Sequence, residues 1–268
     1  PDGTGAVPDI FSLRRLDLFS YNEFLSFTHK PAGEQAVNEF LSRGAFPGLI
    51  KTGHTEALHQ LYTEILCKDA VIAGGIRDRN TLQRMALHLI TNTGEPVTAN
   101  KLREKLKIKA VSTAAEHMQC IETAGLVRFV SILSDNPARQ AVNPRKVYAV
   151  DTALAAAVST AETVDRNKLF ETMLFNHLCR ESRSVCYTNE QGGCDFIASD
   201  AEGGVRCIQA CYDDDPDLMQ TKTDGLLWAL RQTGSSRGTI VTADRNDRID
   251  AENFEIEVID ADTFLGGY

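Results

Sequence analysis

Gly192-Gly193-Cys194-Asp195-Phe196-Ile197-Ala198 and, after a turn, Val205-Arg206-Cys207-Ile208-Gln209-Ala210-Cys211-Tyr212 decide the fold of the second half of this chain. Two β-rich runs separated by Ser199 to Gly204 read as a hairpin. Side chains alternate along a strand, so Val205, Cys207, Gln209 and Cys211 share one side, and Asp195 falls opposite Gln209 or Cys211. Upstream, Leu169 to Leu178 reads as a helix with Leu169, Met173, Leu174 and Leu178 inward, which leans Glu171 over the same spot. Val185 to Tyr187 adds a strand before the hairpin. Asp217 to Leu230 follows as a helix, then strands at Gly238 to Thr242 and Phe254 to Ile259. Helix, three strands, helix and two strands predict a mixed sheet with helices packed on it.

Further back the pattern is helical. Ser20 with Glu23 has capping-box spacing and starts a helix after a short strand over Ile10 to Phe19. Helical spacing continues through Val37 to Leu41 and, after the Gly44-Ala45-Phe46-Pro47-Gly48 break, from His54 to Ala73. Three runs then come in close order. Thr81 to Thr91 puts Leu82, Met85, Leu89 and Ile90 on one stripe. Thr98 caps a helix through Leu106, and Thr113-x-x-Glu116 offers a capping box for a helix ending at Gly125. Leu126 to Leu133 and Lys146 to Val150 read as strands around a turn at Asp135-Asn136-Pro137. Three helices and a two-stranded wing make a winged helix-turn-helix. The expected organisation is a helical segment over 1–79, a winged helix over 80–155 and an α/β domain over 156–268, an α+β or α/β chain overall.

Composition narrows the function classes. The 268 residues are 43% apolar and 24% charged, ordinary for a globular protein. No apolar run approaches the roughly 20 residues that span a bilayer, so no membrane partner is expected. The seven cysteines form no C-x-x-C pair, which fits reduced thiols in a cytoplasmic protein better than a zinc site. The net charge of −9 is uneven: Thr98 to Val150 carries +5 and Asp151 to Tyr268 carries −12. Phosphate neutralisation supplies most nucleic-acid affinity, so DNA contact is expected through the middle segment. Its candidates are Lys101, Arg103, Lys105, Lys107 and Lys109, with Arg139, Arg145 and Lys146 in the wing. The third helix carries Glu116 and Glu122 and no cation, which argues for backbone contact rather than base reading. A solvated basic face serving protein contacts or self-association is the other reading of the same residues.

Metal-dependent phosphodiester hydrolysis needs carboxylates for Mg²⁺ and a cation near the developing charge. Glu171, Asp195 and the Gln209-Ala210-Cys211 triplet resemble the PD-(D/E)xK nuclease superfamily. Glu171 falls on its first-helix acid, Asp195 on its metal-binding aspartate and Gln209-Ala210-Cys211 on its acid-x-lysine triplet. The resemblance implies a restriction-endonuclease-like fold, with Glu171 and Asp195 as a weak metal pair. Gln209 offers a carbonyl oxygen without charge, and Cys211 cannot supply the ammonium. The site is degenerate, and no catalysis is expected of it.

Over nearly the whole chain the sequence is similar to the C-terminal region of a bacterial and archaeal AAA-type ATPase family. The similarity runs through Leu16 to Leu25, Gly44-Ala45-Phe46-Pro47, Glu64 to Asp69, Thr91 to Gly94, Arg145 to Leu154, Lys168 to Glu171 and Gly192 to Phe196. It implies a nucleotide-binding module upstream, with ATP and Mg²⁺ bound there and no cofactor in this chain; Pro1 in place of Met fits a partial chain. The function so implied is a non-catalytic DNA- or protein-binding region. The alternatives are a metal-dependent nuclease with a divergent site and a purely structural assembly region.

Overall fold

The computed structural model describes residues 17–51, 55–68, 75–76, 78–134, 136, 143–159, 165–190, 192–213, 215–251 and 253–267. Among them are eleven helices and two sheets, a mixed α+β architecture. The helical part begins with α1 (Tyr21–Thr28), α2 (Glu34–Arg43), α3 (Pro47–Ile50) and α4 (Thr55–Glu64). The capping box holds: Ser20 Oγ accepts from Glu23 N–H, and the Glu23 carboxylate accepts from Ser20 N–H. The expected strand over Ile10 to Phe19 lies almost wholly outside the described residues, and 17–20 form no regular element.

Next come α5 (Arg79–Thr91), α6 (Ala99–Leu106) and α7 (Val111–Thr123), with β1 (Pro96–Val97), β2 (Val127–Val130) and β3 (Arg145–Ala149) in an antiparallel sheet of order β1-β3-β2. The stripe Leu82, Met85, Leu89 and Ile90 is fully buried. Thr98 caps α6 through Lys101 N–H, as its spacing predicts. The capping box at Thr113 does not form. Helix α7 starts at Val111 behind Ala110, which has no side chain to cap with, because Lys107 takes a left-handed φ of 56° and restarts the chain earlier. The two residues of β1 pair with Lys146 and Arg145. Asp135, Pro137 and Arg139 lie outside the described residues.

The remaining elements are α8 (Thr152–Val158), α9 (Arg166–Glu181), β4 (Ser184–Cys186), β5 (Phe196–Ser199), β6 (Val205–Cys211), α10 (Pro216–Thr233), β7 (Arg237–Thr242), β8 (Asp247–Ala251), β9 (Phe254–Asp260) and α11 (Ala261–Gly266). They build a six-stranded sheet of order β4-β5-β6-β7-β9-β8, parallel across β6-β7-β9 and antiparallel elsewhere. The sheet is mixed, as expected. Strand β8 and helices α8 and α11 were not anticipated, because Asp247–Ala251 is charged and largely exposed and the two helices are too short for periodicity to register. Alternation along β6 sorts its neighbours: Ile208 and Ala210 join the core shared with α9, while Cys207 and Cys211 join the core under α10.

The two sheets meet. Tyr148 of β3 stacks on Phe175 of α9 at 4.2 Å between ring centroids, with Phe196 of β5 beside both. Past β2, Leu133 N–H donates to Tyr187 O at 2.7 Å and Tyr187 N–H donates to Ser131 O at 3.2 Å, just beyond the end of β4. On the other side, buried Asp151 caps α8 through Leu154 N–H and also accepts from Ala45 N–H at 2.6 Å. That closeness needs glycine at 44, where a Cβ would lie 2.4 Å from the Asp151 carboxylate oxygens.

Candidate functional site: a carboxylate pair filled by two lysines

Helix α9 starts at the Asp165 cap and carries Glu171 inward near the sheet end where Asp195 leads into β5. The Glu171 and Asp195 side chains are only 7% and 8% exposed. Between them lies the ammonium of Lys146, 2.8 Å from Glu171 Oε1 and 3.1 Å from Asp195 Oδ1. Tyr148, two residues along β3 and therefore on the same face, donates its hydroxyl to Glu171 Oε1 at 2.6 Å. The second oxygen of Asp195 accepts from Ala210 N–H at 3.0 Å and from the ammonium of Lys222 on α10. Lys168 stands 3.8 Å from Glu171 Oε2 and 3.3 Å from Glu95.

The electrostatics follow from this packing. Burial alone would raise the Asp195 carboxyl; the ammoniums of Lys222 and Lys146 overcome it and hold the group well below the usual carboxylate range. Burial alone would strip the proton from Lys146 and Lys222, and the facing carboxylates more than compensate, so both stay charged. The Tyr148 hydroxyl is pushed far up by burial and by Glu171, and stays a donor.

Sequence and structure agree that Glu171, Asp195 and Gln209 come together. Gln209, however, is fully buried and committed: its Oε1 accepts from Asp195 N–H at 3.1 Å, and its Nε2 donates to Gly193 O at 2.7 Å and Lys222 O at 3.0 Å. The carbonyl expected to be available to a cation is locked into the fold. Gly225 makes this possible, since a Cβ there would lie 2.0 Å from Gly193 O. Cys211 points under α10 with its thiol near Asp213 O, and burial raises its pKa. A second ammonium at Asp195 comes from Lys222, which sequence reading passed over; an isolated lysine on an amphipathic helix carries no distinguishing signal.

The acid pair is engaged by side-chain ammoniums in this structure. Each of the two carboxylates already accepts from Lys146, and among the described residues no three His, Cys, Asp or Glu side chains gather as a metal site.

The basic residues divide. Lys101, Lys105, Lys107 and Lys109 are exposed on and just after α6, with no ion-pair partner among the described residues. Arg103 is held by Glu104 at 2.9 Å and by Asn100. Arg145 lies over the Phe129 ring at 4.5 Å. Lys146, expected to face outward in the wing, is instead the inward-turned residue at the acid pair, because it shares a face of β3 with buried Tyr148. The exposed positions of α7 are Val111, Ser112, Ala115, Glu116, Gln119 and Thr123, which include no cation. All seven cysteines are free thiols, and no helix among the described residues is long and apolar enough to cross a membrane.

Residues 34–165 match a family model described as a domain of unknown function, DUF8612. The match stops one residue before α9, so it contains Lys146 and the basic helix but not Glu171, Asp195 or Lys222. No curated protein and no solved structure matches the chain.

Proposed function

We propose that the chain is a non-catalytic nucleic-acid-binding module in which α5, α6, α7 and β1–β3 act as a winged helix and the six-stranded sheet is a nuclease-like scaffold without nuclease activity. One observation carries the reading: Lys146 and Lys222 occupy the carboxylates that hydrolysis would need for metal. Two ammoniums supply the charge of one divalent cation, so the buried acids are neutralised from within the chain. The four exposed lysines of the α6 region, by contrast, are free to meet phosphates. In the full protein such a module would follow an upstream AAA-type ATPase, where ATP and Mg²⁺ would bind.

The test has two arms. Incubation of the chain with labelled duplex DNA and Mg²⁺ or Mn²⁺ should give no cleavage; cleavage that disappears in Asp195→Ala would overturn the non-catalytic reading. Fluorescence anisotropy with the same duplex should show affinity falling steeply with salt. Absent or salt-indifferent binding would instead assign the basic face to a protein partner or to self-association.

A further inference from the structure

We propose that the cleft beside the lysine-filled acid pair seats a phosphate group of a nucleic-acid strand, an inference that rests on the nucleic-acid reading above and names its contact point. The cleft holds about 360 Å³ between the β1–β3 sheet and the loop leading to β5, with Pro96, Pro144 and Tyr187 among its walls. Three polar groups line it without being used up: Lys101, Lys146 and Asn189.

Lys146 is the unusual member. Its side chain is 13% exposed, and two of its three ammonium protons go to Glu171 and Asp195. The third has no hydrogen-bond acceptor among the described residues; the nearest aromatic neighbour, Tyr187, has its ring centroid 5.4 Å away. A buried charged donor left short of an acceptor favours a ligand that brings one. Lys101 reaches the same cleft from α6, its ammonium without an ion-pair partner among the described residues, and the exposed Asn189 lines it from the loop. Asp195 also lines the cleft, but Lys146, Lys222 and Ala210 N–H engage its oxygens, so it does not oppose an anion with a bare charge. An acceptor-rich anion matched to lysine point charges is a phosphate. A nucleic-acid strand is the favoured source because exposed Lys105 stands one helical turn from Lys101, which gives a second phosphate a cation on the same helix face.

Salt-dependent anisotropy with a labelled single strand and a labelled duplex tests the assignment in Lys101→Ala, Asn189→Asp and, as a control cation on β7 away from the cleft, Arg237→Ala. Lys101→Ala should weaken binding roughly tenfold near 0.1 M salt and make the slope of log K against log salt shallower by about 1, one phosphate contact. Asn189→Asp should weaken binding at least as much, because it places a carboxylate in the cleft, and Arg237→Ala should change neither quantity. Both cleft positions are exposed, and unchanged far-UV circular dichroism would verify folding. If the wild-type chain binds with a steep salt slope and the cleft variants behave like Arg237→Ala, the cleft assignment fails and the module reading stands. If the wild-type chain binds neither strand form, both fail. If millimolar inorganic phosphate shifts the Asn189 side-chain amide resonance while neither DNA does, the phosphate source is a small metabolite and the nucleic-acid assignment is overturned.

Discussion

Replacing Lys146 by methionine keeps the length of the side chain and removes the charge, which isolates the role of the ammonium in the acid pair. At an effective dielectric of about 20, contacts of 2.8 and 3.1 Å each represent roughly 5–6 kcal/mol of gross Coulomb attraction. Most of that is offset by the cost of burying three ions, and breaking a buried pair from one side typically costs about 3–5 kcal/mol. The structure places this case at the low end. Asp195 keeps Lys222 and Ala210 N–H, whereas Glu171 keeps only the Tyr148 hydroxyl and a Lys168 ammonium at 3.8 Å. The expected loss is therefore about 3 kcal/mol at pH 7, or roughly 6–12 °C in Tm.

Differential scanning calorimetry across pH supplies the discriminating signature. In the wild type, Lys146 has a raised folded pKa, so its stabilisation is complete below the ordinary lysine range and is lost only as pH climbs past it. Asp195 has a depressed folded pKa, so its contribution is present above the ordinary aspartate range and is lost as pH falls below it. The cluster thus contributes a flat stabilisation through neutral pH. Adding Glu171→Gln to Lys146→Met should recover at least half of the loss at pH 7. A deficit under about 1 kcal/mol, or a double variant no more stable than the single, would refute the claim that Lys146 neutralises a buried acid.

Three further outcomes are expected. Gly225→Ala should destabilise by about 1–3 kcal/mol or more, since its Cβ would lie 2.0 Å from a backbone oxygen that also holds Gln209; urea unfolding that shows no loss would contradict the packing. Ala110→Ser should stabilise by about 0.5–1 kcal/mol by capping α7, while Thr113→Ala should change the urea midpoint little, the reverse of what the sequence spacing suggests. Burial raises the Asp151 pKa to about 6, with no ion-pair partner among the described residues, so the folded state holds its proton more tightly than the unfolded one. Stability from this group should therefore rise by about 3 kcal/mol as pH falls from above 6 toward 4, and Asp151→Asn should flatten that limb of the pH–Tm curve.

What the sequence disclosed and what it hid follow a physical pattern. Long amphipathic runs such as Arg79–Thr91 were legible because burial imposes a period on the residues, and Val205–Cys211 because a strand buried on both faces is a short apolar run bounded by turn residues. Phe254–Asp260 was legible for the same reason, but its neighbour Asp247–Ala251 was not, because an edge strand is stabilised by backbone pairing and can be charged along its length. Glu171, Asp195 and Gln209 could be brought together from order and alternation alone. The inward turn of Lys146 was also available, since Tyr148 stands two residues on and a strand repeats its face every two. Charge counting assigned it to the surface because a lysine in a basic segment is ordinarily solvated. Lys222 could not be placed, because its partner is 27 residues away and its own helix gives it no unusual position.

The origin of the two lysines determines what the cluster does mechanically. Lys146 comes from β3, Lys222 from α10, Glu171 from α9 and Asp195 from the entry to β5, so four elements are tied to one charge balance. A metal ion would make the same neutralisation exchangeable, and its removal would leave the acids bare. Side-chain ammoniums make it permanent and tie the three-stranded sheet to the six-stranded one. A phosphate meeting the third proton of Lys146 would then draw on an ammonium already shared by Glu171 and Asp195, and those bonds would lengthen as the new one formed. Under that reading, DNA binding and the stability of the acid pair are linked quantities. A saturating single strand should shift the amide resonances of Glu171 and Asp195, although neither residue need touch the strand. Unmoved resonances at saturation would separate the cleft from the cluster and confine phosphate contact to the exposed lysines of α6.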